Sequence, residues 1–138
     1  MIVLDASIVG PLMLPDEQET LPPEVILTLL DAPMIVPMHW HLEVASILQN
    51  ALRRGRITLA QRAQFLRRCA MLGVEVDSQT ARLAWSRTMD LADRHQLTCY
   101  DAAYLELALR IARPLASVDR ALVAAAKRDG LSVISVAP

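Results

Sequence analysis

Four separated carboxylates, Asp5, Glu43, Asp101 and Asp119, are the residues of this chain best suited to chemistry. Asp5 ends the apolar run Val-Leu-Asp, and Asp119 follows Leu-Ala-Ser-Val. Asp101 follows Thr-Cys-Tyr, and Glu43 lies in His-Leu-Glu-Val-Ala-Ser-Ile-Leu. Asp5, Asp101 and Asp119 stand where an expected strand or loop gives way to a helix, and Glu43 stands in the first turns of one. In a parallel α/β sheet the carboxyl ends of the strands open on one crevice. Acids gathered there repel one another unless a divalent cation neutralises them. Hard oxygen donors without a histidine–cysteine cluster suit Mg2+ or Mn2+, not Zn2+, and His39, His41 and His95 have no zinc spacing. A site of this kind hydrolyses a phosphodiester with activated water and needs no protein nucleophile.

Each acid also has a plainer job. Asp5 and Asp119 are natural helix N-caps. Thr98 and Asp101 have capping-box spacing, although aspartate is shorter than the usual glutamate. Glu43 gains from the dipole of its own helix start. The joint pattern is what capping alone does not predict. His39, Glu43, Ser46 and Asn50 share one helical face. Flanked by Leu42, Val44, Ala45, Ile47, Leu48, Ala51 and Leu52, that helix reads as sandwiched, with its narrow polar line toward a cleft. Ser7 and Ser117 stand close to Asp5 and Asp119 and offer hydroxyls to the same pocket.

The elements that must position these residues alternate. Strands are expected at 2–4, 34–36, 74–76, 115–118 and 131–136, each a continuous apolar run of the kind buried on both faces. Helices are expected at 7–14, 23–31, 39–54, 58–72, 78–95, 98–113 and 119–128. Pro15, Asp16 and Glu17 read as a turn, Pro23 as a first helical residue, Ser78 as a cap, and Gly55, Gly73 and Gly130 as stops. Alternation of this kind predicts an α/β fold, a central parallel sheet with helices on both faces, joined by right-handed crossovers.

At 138 residues and 54% hydrophobic, the chain is expected to form a single domain over 1–138 with a substantial core, which excludes a disordered chain. Its net charge of -1 is not that of a strongly basic nucleic-acid binder. The charge is uneven, however. No acid lies between Glu43 and Glu75, a stretch that carries Arg53, Arg54, Arg56, Arg62, Arg67 and Arg68. A basic lobe beside an acidic pocket suits a protein that holds a phosphate backbone and cuts it. Cys69 and Cys99 have neither metal nor disulfide spacing and are expected to be buried thiols of a cytoplasmic protein. The apolar start, interrupted at Asp5 and ended at Pro15, reads as a core strand and helix, not a leader or membrane span.

With these motifs in hand, the chain resembles the PIN-domain family. The segments 3–7 (Val-Leu-Asp-Ala-Ser), 37–45 (Pro-Met-His-Trp-His-Leu-Glu-Val-Ala), 98–108 (Thr-Cys-Tyr-Asp-Ala-Ala-Tyr-Leu-Glu-Leu-Ala) and 115–122 (Leu-Ala-Ser-Val-Asp-Arg-Ala-Leu) are similar to its motifs in the same order. The length and short connections resemble the VapC-type toxin ribonucleases of type II toxin–antitoxin systems. The resemblance implies a three-layer α/β/α PIN-like domain, a homodimer, and an Mg2+- or Mn2+-dependent endoribonuclease. Its acidic residues fall on Asp5, Glu43, Asp101 and Asp119, with Ser7 and Ser117 in support. It implies an RNA substrate and a cognate antitoxin held by the helices at 23–31 and 39–54. One departure is Ser46, where family members often carry asparagine.

On this reading Asp5, Asp101 and Asp119 bind the metal, Glu43 completes the shell or orients the attacking water, and Arg53, Arg54 or Arg120 holds flanking phosphates. Two rivals share the fold. One is a catalytically inactive module that binds RNA or protein. The other is a phosphoryl-transfer protein of receiver or haloacid-phosphatase type, disfavoured because Asp5 has no acidic neighbour, Ser7 stands where the phosphatase needs its second aspartate, and Lys127 lies inside a helix.

Overall fold

Short runs of aliphatic residues flanked by turn formers make the strands. In this computed structural model, which describes residues 1–14, 16–17 and 20–135, they are β1 (Ile2–Leu4), β2 (Met34–Val36), β3 (Glu75–Val76), β4 (Leu115–Ala116) and β5 (Val133–Ile134). All neighbours pair parallel in the order β3-β2-β1-β4-β5, with Ile2 beside Met34 and Leu4 beside Ala116. The chain steps outward from β1 through β2 to β3, then crosses back to β4 on the other side of β1. The strand order therefore reverses between β1 and β4, and a crevice opens at their carboxyl ends. Helices on both faces complete the three-layer α/β/α architecture.

Parallel neighbours need crossovers, and helices supply them. After β1 a tight 3-10 turn (Ala6–Ile8) leads into α1 (Val9–Met13). The others are α2 (Pro23–Asp31), α3 (Trp40–Arg53), α4 (Leu59–Met71), α5 (Thr80–Leu83), α6 (Met89–His95), α7 (Cys99–Ile111) and α8 (Arg120–Arg128). Local chemistry starts and stops them where the sequence suggests. Pro23 opens α2. Thr58 and Gln61 close a reciprocal capping box on α4. Thr98 accepts from the Asp101 N–H, and Asp119 from the Leu122 N–H, to cap α7 and α8. Gly55, at φ +70°, takes the left-handed conformation that ends α3. The most enclosed helix is α7: Ala102 through Ala108 are all buried, and its alanines let it lie close against β1.

Several expectations need correction. The helix expected over 78–95 runs from Thr80 to His95 but passes through a π turn (Ala84–Thr88) between α5 and α6, and Trp85 in that turn is 91% exposed. π turns are rare, and helical period alone does not call for one. Ser78 is not the cap; Gln79 holds that place, while Thr80 accepts from the Met38 N–H and so ties α5 to the segment leading into α3. Only the inner strands are buried; β3 is exposed and β5 half-buried, as edge positions dictate. β4 stops at Ala116, and the end of the last expected strand, Val136, lies outside the described residues, as does Pro15 of the expected turn. α3 is not sandwiched: Trp40, Val44, Leu48 and Ala51 are buried along one side, whereas Leu42 and Ala45 are exposed. Cys69 is buried, but Cys99 is exposed because it opens the first turn of α7.

Candidate active site: an acidic cleft at the ends of β1 and β4

The sheet ladder runs past the last residues of the strands. The Asp5 N–H donates to the Ala116 carbonyl at 2.9 Å, and the Ser117 N–H to that of Ile134 at 3.2 Å. Asp5 and Ser117 are thereby held side by side at the mouth of the crevice. The hydroxyls of Ser7 and Ser117 both donate to Asp5 Oδ2, at 2.5 and 2.6 Å. Each hydroxyl in turn accepts a backbone N–H, Ser7 from Val118 at 3.1 Å and Ser117 from Asp119 at 3.0 Å. Those N–H groups direct both hydroxyl protons onto the one carboxylate oxygen. Asp5 is buried, and its orientation is set by one hydroxyl two residues on and by another 112 positions away.

A cleft of about 560 Å³ lies above it, lined by Asp5, Ser7, Glu43, Asp101 and Asp119 together with His39, Leu42, Ser46, Ile47, Asn50 and Tyr100. The four carboxylates, and the whole polar stripe of α3, thus face one space. Ser117 is fully buried beneath it and reaches it only through Asp5 and Asp119. Arg53 and Arg54, at the exposed end of α3, and Arg120, exposed at the start of α8, are not in its wall. No arginine or lysine lines it among the described residues.

Charge follows from that geometry. Burial, and the nearby charges of Asp119, Asp5 and Glu43 in that order, push the Asp101 carboxyl up to about 6. Burial likewise raises Asp5 against the pull of its serine hydrogen bonds, and Glu43 adds to the rise. Glu43 behaves differently. Its burial is outweighed by hydrogen bonds from His39 and Tyr104, which leave it below the usual carboxylate range. The Tyr104 hydroxyl donates to Glu43 Oε1 at 2.6 Å, and burial next to that carboxylate raises the phenol so that it keeps its proton. His39 Nε2 lies 3.0 Å from the Tyr100 carbonyl and 3.2 Å from Glu43 Oε1. Both are acceptors, so Nε2 is the nitrogen that carries a proton.

The donor set fits a hard divalent ion. Oxygen ligands that repel one another, in a wall without arginine or lysine, favour a bound cation. They do not form a ready-made cage: among the described residues no three acidic, histidine or cysteine side chains are grouped closely enough to hold a metal ion. Mg2+ commonly keeps several of its waters, so a hard-oxygen donor set can serve it through those waters without such a cage.

Sequence reasoning missed Tyr104. The signal was its position three residues after Asp101, on the same face of α7. It also passed over Tyr100, which lines the cleft, and over the role of His39, which holds Glu43 and the start of α7 together.

No family model matches the chain, and no curated protein does. Among solved structures it is similar to the crystal structure of PAE2754 from Pyrobaculum aerophilum, with a TM-score of 0.68 and 21% identity over 96% of this chain and 88% of that one. At that identity the likeness concerns the fold.

Proposed function

We propose that this protein is an Mg2+- or Mn2+-dependent endoribonuclease of PIN-domain type, the toxin of a toxin–antitoxin pair. The observation that carries the nuclease reading is the cleft at the β1–β4 switch point, where four carboxylates meet with no arginine or lysine in the wall among the described residues. Asp5, Asp101 and Asp119 would hold the ion. When bound, it supplies Lewis acidity that acidifies water and offsets charge building on the phosphate. Ser7 and Ser117 keep Asp5 in one orientation. His39 and Tyr104 keep Glu43 ionised and aimed, so that it orients the attacking water. The toxin role, the cognate antitoxin on α2 and α3, the homodimer and the cytoplasmic setting rest on the motif resemblance. No helix among the described residues is long and apolar enough to cross a membrane.

The test is cleavage of labelled structured RNAs by purified, partner-free protein in Mg2+, in Mn2+ and in EDTA. Cutting that needs the metal and disappears in Asp5→Asn and Asp101→Asn supports the assignment; full activity in Asp5→Asn sinks it. A second reading is an inactive PIN-like module that binds RNA or protein; among the described residues no three-ligand group speaks against it. Titration calorimetry with Mg2+ and Mn2+ separates the two, since a decayed site takes up neither ion.

A further inference from the structure

Beside its acids and the polar stripe of α3, the cleft has an apolar portion. Leu42, Ile47 and Tyr100 line it, and Leu42 and Tyr100 are 74% and 65% exposed. Large apolar surfaces left open this close to a charged site suit a ligand that is itself part anion, part flat apolar ring. With no arginine or lysine in the wall among the described residues, little in the cleft itself attracts a phosphate backbone in the absence of metal. The exposed apolar portion offers the rest of the nucleotide, its base, a place to add affinity.

Tyr100 is built to receive one. It is the second residue of α7 and directly precedes Asp101. Its carbonyl accepts from His39 Nε2, and the imidazole meets its ring edge-on, with centroids 5.7 Å apart and planes at 62°. The ring is therefore braced from the side of α3 while most of its surface stays open. A platform held before the ligand arrives loses little entropy on binding.

The geometry points to Tyr100 as a stacking platform for an unpaired nucleobase next to the scissile phosphate, and so to single-stranded RNA, a loop or a bulge as the substrate. This inference rests on the RNA reading of the cleft. The faces of a base inside an A-form helix are already covered by its neighbours; only a splayed base can lie on a tyrosine ring. Because Tyr100 neighbours Asp101 in the chain, a base on it belongs to a nucleotide beside the phosphate held at the acids.

The test uses the full chain with Asp5→Asn, which keeps the RNA intact, and single-stranded oligoribonucleotides that carry one 2-aminopurine. Binding in Mg2+ is expected to quench the fluorophore. Adding Tyr100→Ala should weaken binding by about tenfold or more and abolish the quench. Tyr100→Phe in the same background should restore both, and the same oligonucleotide annealed to its complement should neither quench nor compete. Tyr100 is largely exposed, so its removal leaves the fold intact, and circular dichroism checks that. Unchanged affinity and quenching in Tyr100→Ala overturn the platform, as does equal binding of the duplex. The two proposals fail separately. A wild-type protein that cuts RNA with the same KM as its Tyr100→Ala variant overturns the platform and leaves the nuclease standing. Tyr100-dependent quenching in a protein that cuts nothing supports the platform and overturns the nuclease.

Discussion

Helix α7 carries two groups of acids, and they are treated in opposite ways. Toward its carboxyl end Glu106 and, on the β3 side, Asp77 are both buried, and Arg110 answers both. Its guanidinium donates to Asp77 at 2.7 and 3.2 Å and to Glu106 at 3.0 to 3.2 Å. Those hydrogen bonds raise the arginine well above its usual range, so it stays charged throughout. At its amino end Asp101 shares a cleft with Asp5, Glu43 and Asp119, and the basic partner near them is His39, which is tied to Glu43. In one cluster two carboxylates share a cation that the chain itself supplies, and the group serves the fold. The other is left in electrostatic deficit, held in place by hydroxyls that orient but bring no charge. On the proposed reading, a divalent cation would fill that deficit.

The contrast can be broken from either end. The largest effect is expected at the closed cluster. Arg110→Met strands two buried carboxylates and should cost about 3 kcal/mol, read as a lower midpoint in urea melts with an unchanged slope. If stability hardly moves, the triad is not what holds β3 to α7. In the open cluster the same kind of change should spare stability and remove function. Asp5→Asn and Asp101→Asn are expected to lower metal-dependent cleavage by about 100-fold or more.

Next in size is the supporting hydroxyl. Ser117→Ala takes one donor from Asp5 and leaves the buried Asp119 N–H without its acceptor, at a cost of about 1–2 kcal/mol. Cleavage should fall about tenfold with metal affinity, as loss of an orienting group does. Equal activity in this variant would mean that Asp5 needs no orientation.

The smallest effect is a pH dependence. The Asp101 carboxyl lies near 6 in the folded, metal-free protein against an ordinary 3.8, so folding tightens its hold on the proton. A group raised in this way favours the folded state at low pH, and that advantage is lost as pH climbs from 3.8 to about 6. Asp5, also raised, acts in the same sense, while Glu43, lowered from 4.5, titrates below most of that window. Metal-free protein should therefore be about 1 kcal/mol less stable at about pH 7 than at about pH 4.5, after allowance for the water that reaches half-buried Asp101. Asp101→Asn should flatten the slope. Saturating Mg2+ should restore stability at the higher pH in wild type and do so far less in the variant. A slope that survives Asp101→Asn would place the proton elsewhere.

Much of this architecture is legible in the residue order. Pro23, Thr58, Thr98 and Asp119 mark helix starts and Gly55 a helix end, because caps and breakers act within a turn of themselves. Continuous apolar triplets make the inner strands, and alternation with helices requires a parallel sheet. Even the stripe of His39, Glu43, Ser46 and Asn50 follows from helical period alone, since four residues at that spacing share a face in any helix.

What that face looks onto is a different matter. The open side of α3, the π turn beneath Trp85, the exposure of Cys99 and the brace of His39 on Tyr100 all depend on which element packs beside which, over separations of tens of residues. The lock on Asp5 is the sharpest case, because Ser117 Oγ reaches it from 112 positions away. Local spacing carries no term for such contacts. The sequence by itself determined which residues sit at the ends of strands and the starts of helices, since those preferences are local. Only the tertiary structure decided that four of them share a cleft, that no arginine among the described residues stands in its wall, and that a tyrosine ring stands open at its edge.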